Sequence, residues 1–75
     1  MKYLKCLVEN DNQLKWFNHQ LFQVQLTYHK SNGKLQWITM RVPEDKYEFH
    51  LGQLRRLYHV DDLKLFVRVS NSLSL

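Results

Sequence analysis

Four stretches of this sequence alternate apolar residues with aromatic, cationic and polar ones. Read as strands, they place three aromatic rings among four cations and four uncharged polar residues on one face: Tyr3, Trp37, Phe66, Lys5, Arg41, Lys64, Arg68, Gln23, Gln25, Thr27 and Thr39. Aromatic rings stack on bases or pack into the surface of a partner, while Lys and Arg bind phosphates or carboxylates. The residue types on this face therefore indicate non-covalent binding.

Six of these residues form the candidate binding site, because the strand order predicted below brings them together. They are Tyr3, Lys5, Trp37, Arg41, Phe66 and Arg68, of which the first four fall on the two central strands. Such a platform suits single-stranded nucleic acid, whose bases stack on the rings while the cations follow the phosphates. The pattern is equally typical of an amphipathic sheet whose aromatic and cationic side chains pair with one another across strands.

The sequence lacks the residue patterns that catalysis or metal binding would need. Cys6 alternates with Leu4 and Val8, so we expect its thiol to fill the core rather than to react. The four histidines stand at no zinc-site spacing, either with each other or with Cys6: His19, His29, His50 and His59. Two glycines are too few for a phosphate-binding loop. The sequence therefore predicts a protein that is not an enzyme and that has no metal, no cofactor and no small-molecule substrate.

The length and composition predict one soluble globular domain that spans residues 1–75. A chain of 75 residues is near the lower limit at which one core suffices without disulfides or metals. Its hydrophobic share of 44% is too high for a disordered chain. A lone cysteine forms no internal bridge, and no stretch resembles a signal peptide or a membrane span. We therefore expect a cytoplasmic protein with no membrane role.

Charge is distributed unevenly along the chain, whose formal net charge is +4. The four predicted strands hold seven basic residues and no acidic one, whereas the rest of the chain holds four basic and all seven acidic residues. The acidic residues stand mostly beside predicted helix starts and corners, where carboxylates are favourable. Part of the asymmetry is therefore structural, and the remainder is a candidate for a functional role.

Asn32 and Gly33 predict a hairpin within residues 21–42. A two-residue turn would place Leu26 opposite Thr39 and so mix apolar with polar side chains on both faces. A three-residue loop that ends at Gly33 separates them, with these pairs on the apolar face: Phe22 with Val42, Val24 with Met40, and Leu26 with Ile38. We therefore predict the three-residue loop, with Gly33 at positive φ.

Two helices are predicted between the strands. Asn10 and Gln13 resemble a capping box that opens a short helix, with Leu14, Phe17 and Leu21 on its inner face. Trp16 falls on the far side of that helix, so a hairpin that returns through residues 14–16 stays the alternative. Asp45 and Glu48 resemble a second cap, followed by an apolar stripe at helical spacing: Tyr47, Leu51, Leu54 and Tyr58.

The flanking strands are predicted over residues 2–8 and 63–69, where apolar residues alternate, and Pro43 ends the third strand. The alternation continues through Leu73 and Leu75, so the last strand is expected to extend past Ser70. An overlong strand needs a partner, and we predict that this tail pairs along an edge of the same chain or of a second copy.

The predicted order is strand, short helix, strand, strand, helix, strand, which matches the split βαβ or ferredoxin-like arrangement. We therefore predict a small α+β domain with a four-stranded, mainly antiparallel sheet and one or two helices on one face. The alternative is an antiparallel sheet of four or more strands covered by a single helix. The glycine-flanked aromatic octapeptide of RNA-recognition motifs is absent from the sequence, so any resemblance to them is limited to topology.

Two functions follow from the candidate face. The first is a protein-interaction module, such as a small regulator or inhibitor, that docks a partner or a second copy through this face or an edge strand. The second is a small protein that binds single-stranded RNA or DNA on the same face. Salt separates the two, because phosphate contacts release counterions whereas aromatic contacts between proteins do not.

Overall fold

The computed structural model describes residues 1–20 and 23–72. Its elements, in chain order, are β1 (Lys2–Leu7), α1 (Asp11–Asn18), β2 (Gln25–Ser31), β3 (Lys34–Val42), a 3₁₀ turn (Glu44–Lys46) that leads into α2 (Tyr47–Tyr58), and β4 (Val67–Ser70). The strands form one sheet in the order β2-β3-β1-β4, and every neighbouring pair is antiparallel. The prediction of an α+β domain with the split βαβ arrangement is confirmed.

The core lies between one face of this sheet and the two helices. Alternate residues of β1 and β3 are buried because successive side chains of a strand point to opposite faces. The buried apolar cluster takes residues from β1, β3 and β4, from both helices and from the position directly before β2: Leu4, Cys6, Ile38, Met40, Val42, Val67, Phe17, Leu51, Leu54, Tyr58 and Val24. No helix of the described residues covers the opposite face of the sheet, which is called the open face below.

The hairpin has a two-residue turn, so the predicted three-residue loop is wrong. Ser31 pairs with Lys34, and both turn residues have positive φ, 53° at Asn32 and 77° at Gly33. The positive φ predicted for Gly33 is confirmed. Because these two residues adopt a primed turn, the hairpin closes tightly with the twist that its strands require.

A bulge in β3 keeps the two faces distinct despite the shorter turn. Lys30 pairs with Leu35 but His29 pairs with Trp37, so Gln36 is an additional residue in β3. Beyond the bulge, Leu26 lies opposite Met40, and the pairings predicted for Val24 and Leu26 are therefore wrong. The predicted pairing of Phe22 lies outside the described residues.

Helix α1 is confirmed, and the hairpin alternative for this stretch is wrong. The Asn10 side chain accepts a hydrogen bond from the Gln13 backbone N–H at 2.9 Å, and the Gln13 side chain accepts one from the Glu9 N–H at 2.7 Å. Phe17 is fully buried, and Trp16 packs edge-on against its ring with 5.0 Å between centroids. Leu21, predicted for the inner face, lies outside the described residues.

Helix α2 begins differently from the prediction, although its inner stripe is confirmed. The 3₁₀ turn precedes it, and Lys46 stands at the N-cap without a side-chain hydrogen bond, so the predicted cap at Asp45 is wrong. Leu51, Leu54 and Tyr58 are buried against the sheet. Strand β3 ends at Val42, directly before Pro43, as predicted.

The last strand is shorter than predicted. Residues 64–66 form a turn in which the Leu63 carbonyl accepts hydrogen bonds from the N–H groups of Phe66 (2.9 Å) and Val67 (2.8 Å). Because these bonds are local, residues 63–66 cannot continue the strand, which begins at Val67. A bend follows Ser70, and residues 73–75 of the predicted tail lie outside the described residues.

Tyr58 joins α2 to the end of β1. Its hydroxyl donates a hydrogen bond to the Leu7 carbonyl, and its ring stacks on Phe66 with 4.8 Å between centroids. Nearby, the buried Cys6 thiol donates to the Leu4 carbonyl at 3.3 Å. Burial raises the pKa of the Cys6 thiol and that of the Tyr58 hydroxyl, so both groups stay protonated in the folded chain.

Substituting the two glycines separates the effects of backbone conformation and of helix propensity. An added Cβ would meet no atom within 4 Å at Gly33 or at Gly52. We expect Gly33→Ala to lower the free energy of unfolding by about 1 kcal/mol, because its φ is left-handed. Gly52→Ala, inside α2, should raise it by about 0.5 to 1 kcal/mol. Urea denaturation measures both, and equal effects of the two substitutions would contradict the turn geometry.

Alkaline pH should destabilise the fold. Above the ordinary pKa values of 9.0 for Cys6 and 10.0 for Tyr58, the unfolded chain releases protons that the folded chain retains. The free energy of unfolding should then fall by up to about 1.4 kcal/mol per pH unit for each group. Tyr58→Phe should be about 1 kcal/mol less stable at neutral pH, since the Leu7 carbonyl loses its donor. Above pH 10 its stability should decline less steeply than that of the wild type, and equal slopes in urea denaturation would refute this account.

Candidate functional site

The open face of the sheet carries three rows of side chains that follow directly from the strand register. Within each row the residues are named in the order of the strands, from β2 through β3 and β1 to β4. The rows are Gln25, Arg41, Tyr3 and Ser70; Thr27, Thr39, Lys5 and Arg68; and His29, Trp37 and Leu7. Lys5 thus lies directly between Thr39 and Arg68. The open face combines aromatic, cationic and small polar groups on adjacent strands.

Trp37 is the centre of the cationic part of this face. The Lys5 ammonium nitrogen lies 5.6 Å from the centroid of the Trp37 ring, and the Arg68 guanidinium carbon lies 5.1 Å from it. Each distance is within the range of a cation–π contact, which contributes on the order of 0.5 to 1 kcal/mol at an exposed site. Two like charges are therefore held next to each other by one half-buried aromatic ring.

The cations of the open face have no carboxylate partner among residues 1–20 and 23–72. Within that part of the chain, the one ion pair joins the N-terminal ammonium to Glu44 at 3.4 Å. Arg41 instead donates a hydrogen bond to the Gln25 side-chain oxygen at 3.2 Å. No acidic residue stands in any of the three rows, so within the described residues no carboxylate compensates the positive charge of Lys5, Arg41 and Arg68.

Five of the six predicted binding residues come together on the open face: Tyr3, Lys5, Trp37, Arg41 and Arg68. Phe66 does not, because the 64–66 turn places it before β4 and its ring stacks on Tyr58 against the core. Lys64 lies in the same turn, and Gln23 precedes β2, so neither belongs to the rows. The face thus has two aromatic rings rather than the three that were predicted.

His29 is a further member of the face that the sequence reasoning missed. Its Nε2 atom lies 2.7 Å from the Thr39 hydroxyl oxygen, and Thr39 is only 2% exposed. The signal was present in the sequence, because the alternation that places Gln25 and Thr27 outward continues to His29. This hydrogen bond fixes a polar pair beside Trp37 and Lys5.

Comparison with protein-family models, with curated proteins and with solved structures gives no match to this chain. Within the described ranges, no three His, Cys, Asp or Glu side chains are grouped so that they could hold a metal ion. No helix there has the length and apolar character needed to cross a membrane.

The electrostatic environment of Trp37 can be measured with charged quenchers. In a Trp16→Phe background, which leaves Trp37 as the sole tryptophan, iodide should quench the emission more strongly than caesium, since Lys5 and Arg68 attract anions. Lys5→Ala and Arg68→Ala should each reduce the ratio of iodide to caesium quenching. Arg56→Ala, which removes an exposed cation from α2, is the matched control.

Two outcomes would contradict this description of the face. Equal quenching by iodide and caesium would mean that no local positive potential surrounds the ring. Failure of neutral acrylamide to quench Trp37 would mean that the chain itself covers the open face.

Proposed function

We propose that this chain is a non-enzymatic binding protein that docks an acidic surface of a protein partner on its open face. The observation that carries the proposal is the cluster of Lys5 and Arg68 on the half-buried Trp37 ring, with no carboxylate in the surrounding rows. Trp, Tyr and Arg are the residues most enriched at the energetic centres of protein interfaces. Carboxylates of a partner would complete the charge pairs that these cations do not form within the described part of the chain.

The face is also already ordered by its own contacts, which supports binding. Lys5 and Arg68 are held on Trp37, Arg41 on Gln25, and His29 on Thr39. Long cationic side chains that are restrained before binding lose less conformational entropy when a partner arrives. The open face is therefore better suited to binding than a set of freely rotating surface lysines and arginines.

The size of the face sets the strength of such an interaction. Strands about 4.8 Å apart with a rise of about 3.3 Å per residue give the three rows a span of roughly 20 by 20 Å. A standard interface buries about 800 Å² on each partner, about twice that area. We therefore expect weak, reversible binding, which fits a regulator or inhibitor better than a permanent subunit.

Single-stranded nucleic acid is the second candidate, favoured by the position of Tyr3 and Trp37 on the adjacent central strands. Tyr3 pairs with Arg41 whereas Trp37 pairs with Leu7, so the two rings are four residues apart along the strands, about 13 Å. A base stacked on Trp37 would also compete with Lys5 and Arg68 for the ring. With Phe66 in the core, stacking would rest on these two rings, and the protein partner is the better-supported reading.

Selection from a phage-displayed library of random peptides tests the proposal. We expect the wild type to enrich peptides that combine Asp and Glu with aromatic residues. Trp37→Ala and Arg68→Ala should each weaken binding of a synthesised peptide at least about tenfold, as for residues at the centre of an interface. Arg56→Ala should leave binding unchanged. Enriched peptides without acidic residues, or binding that survives both open-face substitutions, would refute the proposal.

A titration with oligothymidine and oligouridine separates the second candidate from the first. Under the protein-binding proposal, neither oligonucleotide changes the Trp37 emission at moderate salt. Binding that weakens with a slope of roughly 0.7 in log K against log salt for each phosphate contact, and that Arg68→Ala flattens, would instead establish nucleic-acid binding.

A further inference from the structure

We infer that a second copy of this chain pairs with the outer edge of β2, so that two sheets join into one of eight strands. This interaction surface is distinct from the open face, and the inference holds whether or not the open face binds an acidic partner. Three features of β2 support it: the unpaired backbone groups at its outer edge, its residue composition, and the complementarity of its side chains to those of a second, antiparallel β2.

The outer edge of β2 carries unpaired backbone groups. Gln25–Ser31 pairs with β3 on one side, and it is the first strand in the order of the sheet. In an antiparallel strand, alternate residues direct N–H and C=O groups away from the neighbour. At the outer side of β2 these groups have no strand partner in the part of the chain that the structure describes. A regular edge of this kind is a template for another strand.

β2 lacks the features that normally prevent such pairing. It contains no proline and no acidic residue, its single charged side chain is Lys30 next to the turn, and the extra residue of the bulge lies in β3. The opposite edge of the sheet differs, because β4 has four residues, includes Arg68 and is followed by a bend. Short and charged edges resist pairing. The seven-residue edge of β2 is therefore the one that favours a partner.

The strand is complementary to itself when a two-fold axis passes through Thr27. On the helix side, Leu26 would then lie opposite Tyr28 of the second copy, which covers a Tyr28 side chain that is 42% exposed. On the open side, Thr27 would meet Thr27, and Gln25 would meet His29. Apolar residues thus pair with apolar ones and polar residues with hydrogen-bonding ones, and no like charges lie opposite each other.

Such pairing has a consequence for the open face. An axis perpendicular to the sheet keeps both open faces on the same side, so the rows of one copy would continue into those of the other. The combined surface would have twice the area of one face and reach the roughly 800 Å² of a standard interface. A second copy is therefore the occupant that also gives the molecule an interface of ordinary size.

Two variants of the full chain, one with a positive and one with a negative charge at Thr27, test the inference. In sedimentation velocity from micromolar to millimolar concentration, the wild type should shift from monomer to dimer. Thr27→Lys and Thr27→Glu should each raise the dissociation constant at least about tenfold, because like charges then meet at the axis. An equimolar mixture of the two variants should recover the dimer. Ser70→Lys, on the same face at the edge of β4, is the matched control and should dimerise as the wild type does.

Amide hydrogen exchange of the wild type provides a readout that needs no substitution. The β2 amides that do not bond to β3 should exchange rapidly at micromolar concentration and become protected as the dimer forms. A wild type that stays monomeric at millimolar concentration would overturn the inference. A dimer that both Thr27 variants leave intact, or that Ser70→Lys abolishes, would place the interface elsewhere and overturn it as well.

Discussion

The additional residue in β3 is the constraint on which the open face depends. The turn at Asn32 and Gly33 fixes the pairing of Ser31 with Lys34, and uninterrupted alternation from there would turn Leu35 and Trp37 to the same side. With Gln36 inserted, Leu35 packs against the core while Trp37 pairs outward beside His29. The bulge therefore satisfies two conditions that a regular strand cannot meet together, a tight primed turn and a dry inner face.

Leu7, at the end of β1, joins the sheet to α2 and to the segment that follows it. The Leu7 N–H donates to the Phe66 carbonyl at 2.8 Å, and the Leu7 carbonyl accepts from the Tyr58 hydroxyl. The Leu7 carbonyl thus binds the last residue of α2, and the Leu7 N–H binds Phe66, which attaches the 64–66 turn to the sheet. The Phe66 carbonyl accepts the hydrogen bond from Leu7 and the Phe66 ring stacks on Tyr58, so Phe66 contributes to the core and not to the open face.

The open face carries positive charge that no carboxylate neutralises within residues 1–20 and 23–72. Among the described residues, Lys5 and Arg68 lie on one aromatic ring rather than near a carboxylate. Thr39, which is almost fully buried, shares a hydrogen bond with the His29 ring on the same face. The arrangement leaves the cations ordered and available to an anionic surface.

The sequence by itself determined the element order, the core residues of β1 and β3, and the placement of five of the six candidate residues on one face. Alternation with period two is a local property, and at Tyr3, Lys5, Trp37, Arg41 and Arg68 it assigns the face correctly whatever the pairing partner. Asn10 and Gln13 likewise specify the start of α1 through contacts within one turn.

Only the tertiary structure decided the register of the hairpin and the position of Phe66. A turn of two residues with a bulge and a loop of three residues both separate the apolar from the polar side chains, so the sequence pattern cannot distinguish them. The alternation of residues 63–66 is as regular as that of a strand. The segment nevertheless forms a turn, because the Leu63 carbonyl accepts hydrogen bonds from within it, and the Phe66 ring packs in the core against Tyr58. The ring contact with Tyr58 and the hydrogen bond from the Leu7 N–H to the Phe66 carbonyl join this segment to α2 and β1, and their free energy outweighs the local preference for an extended chain.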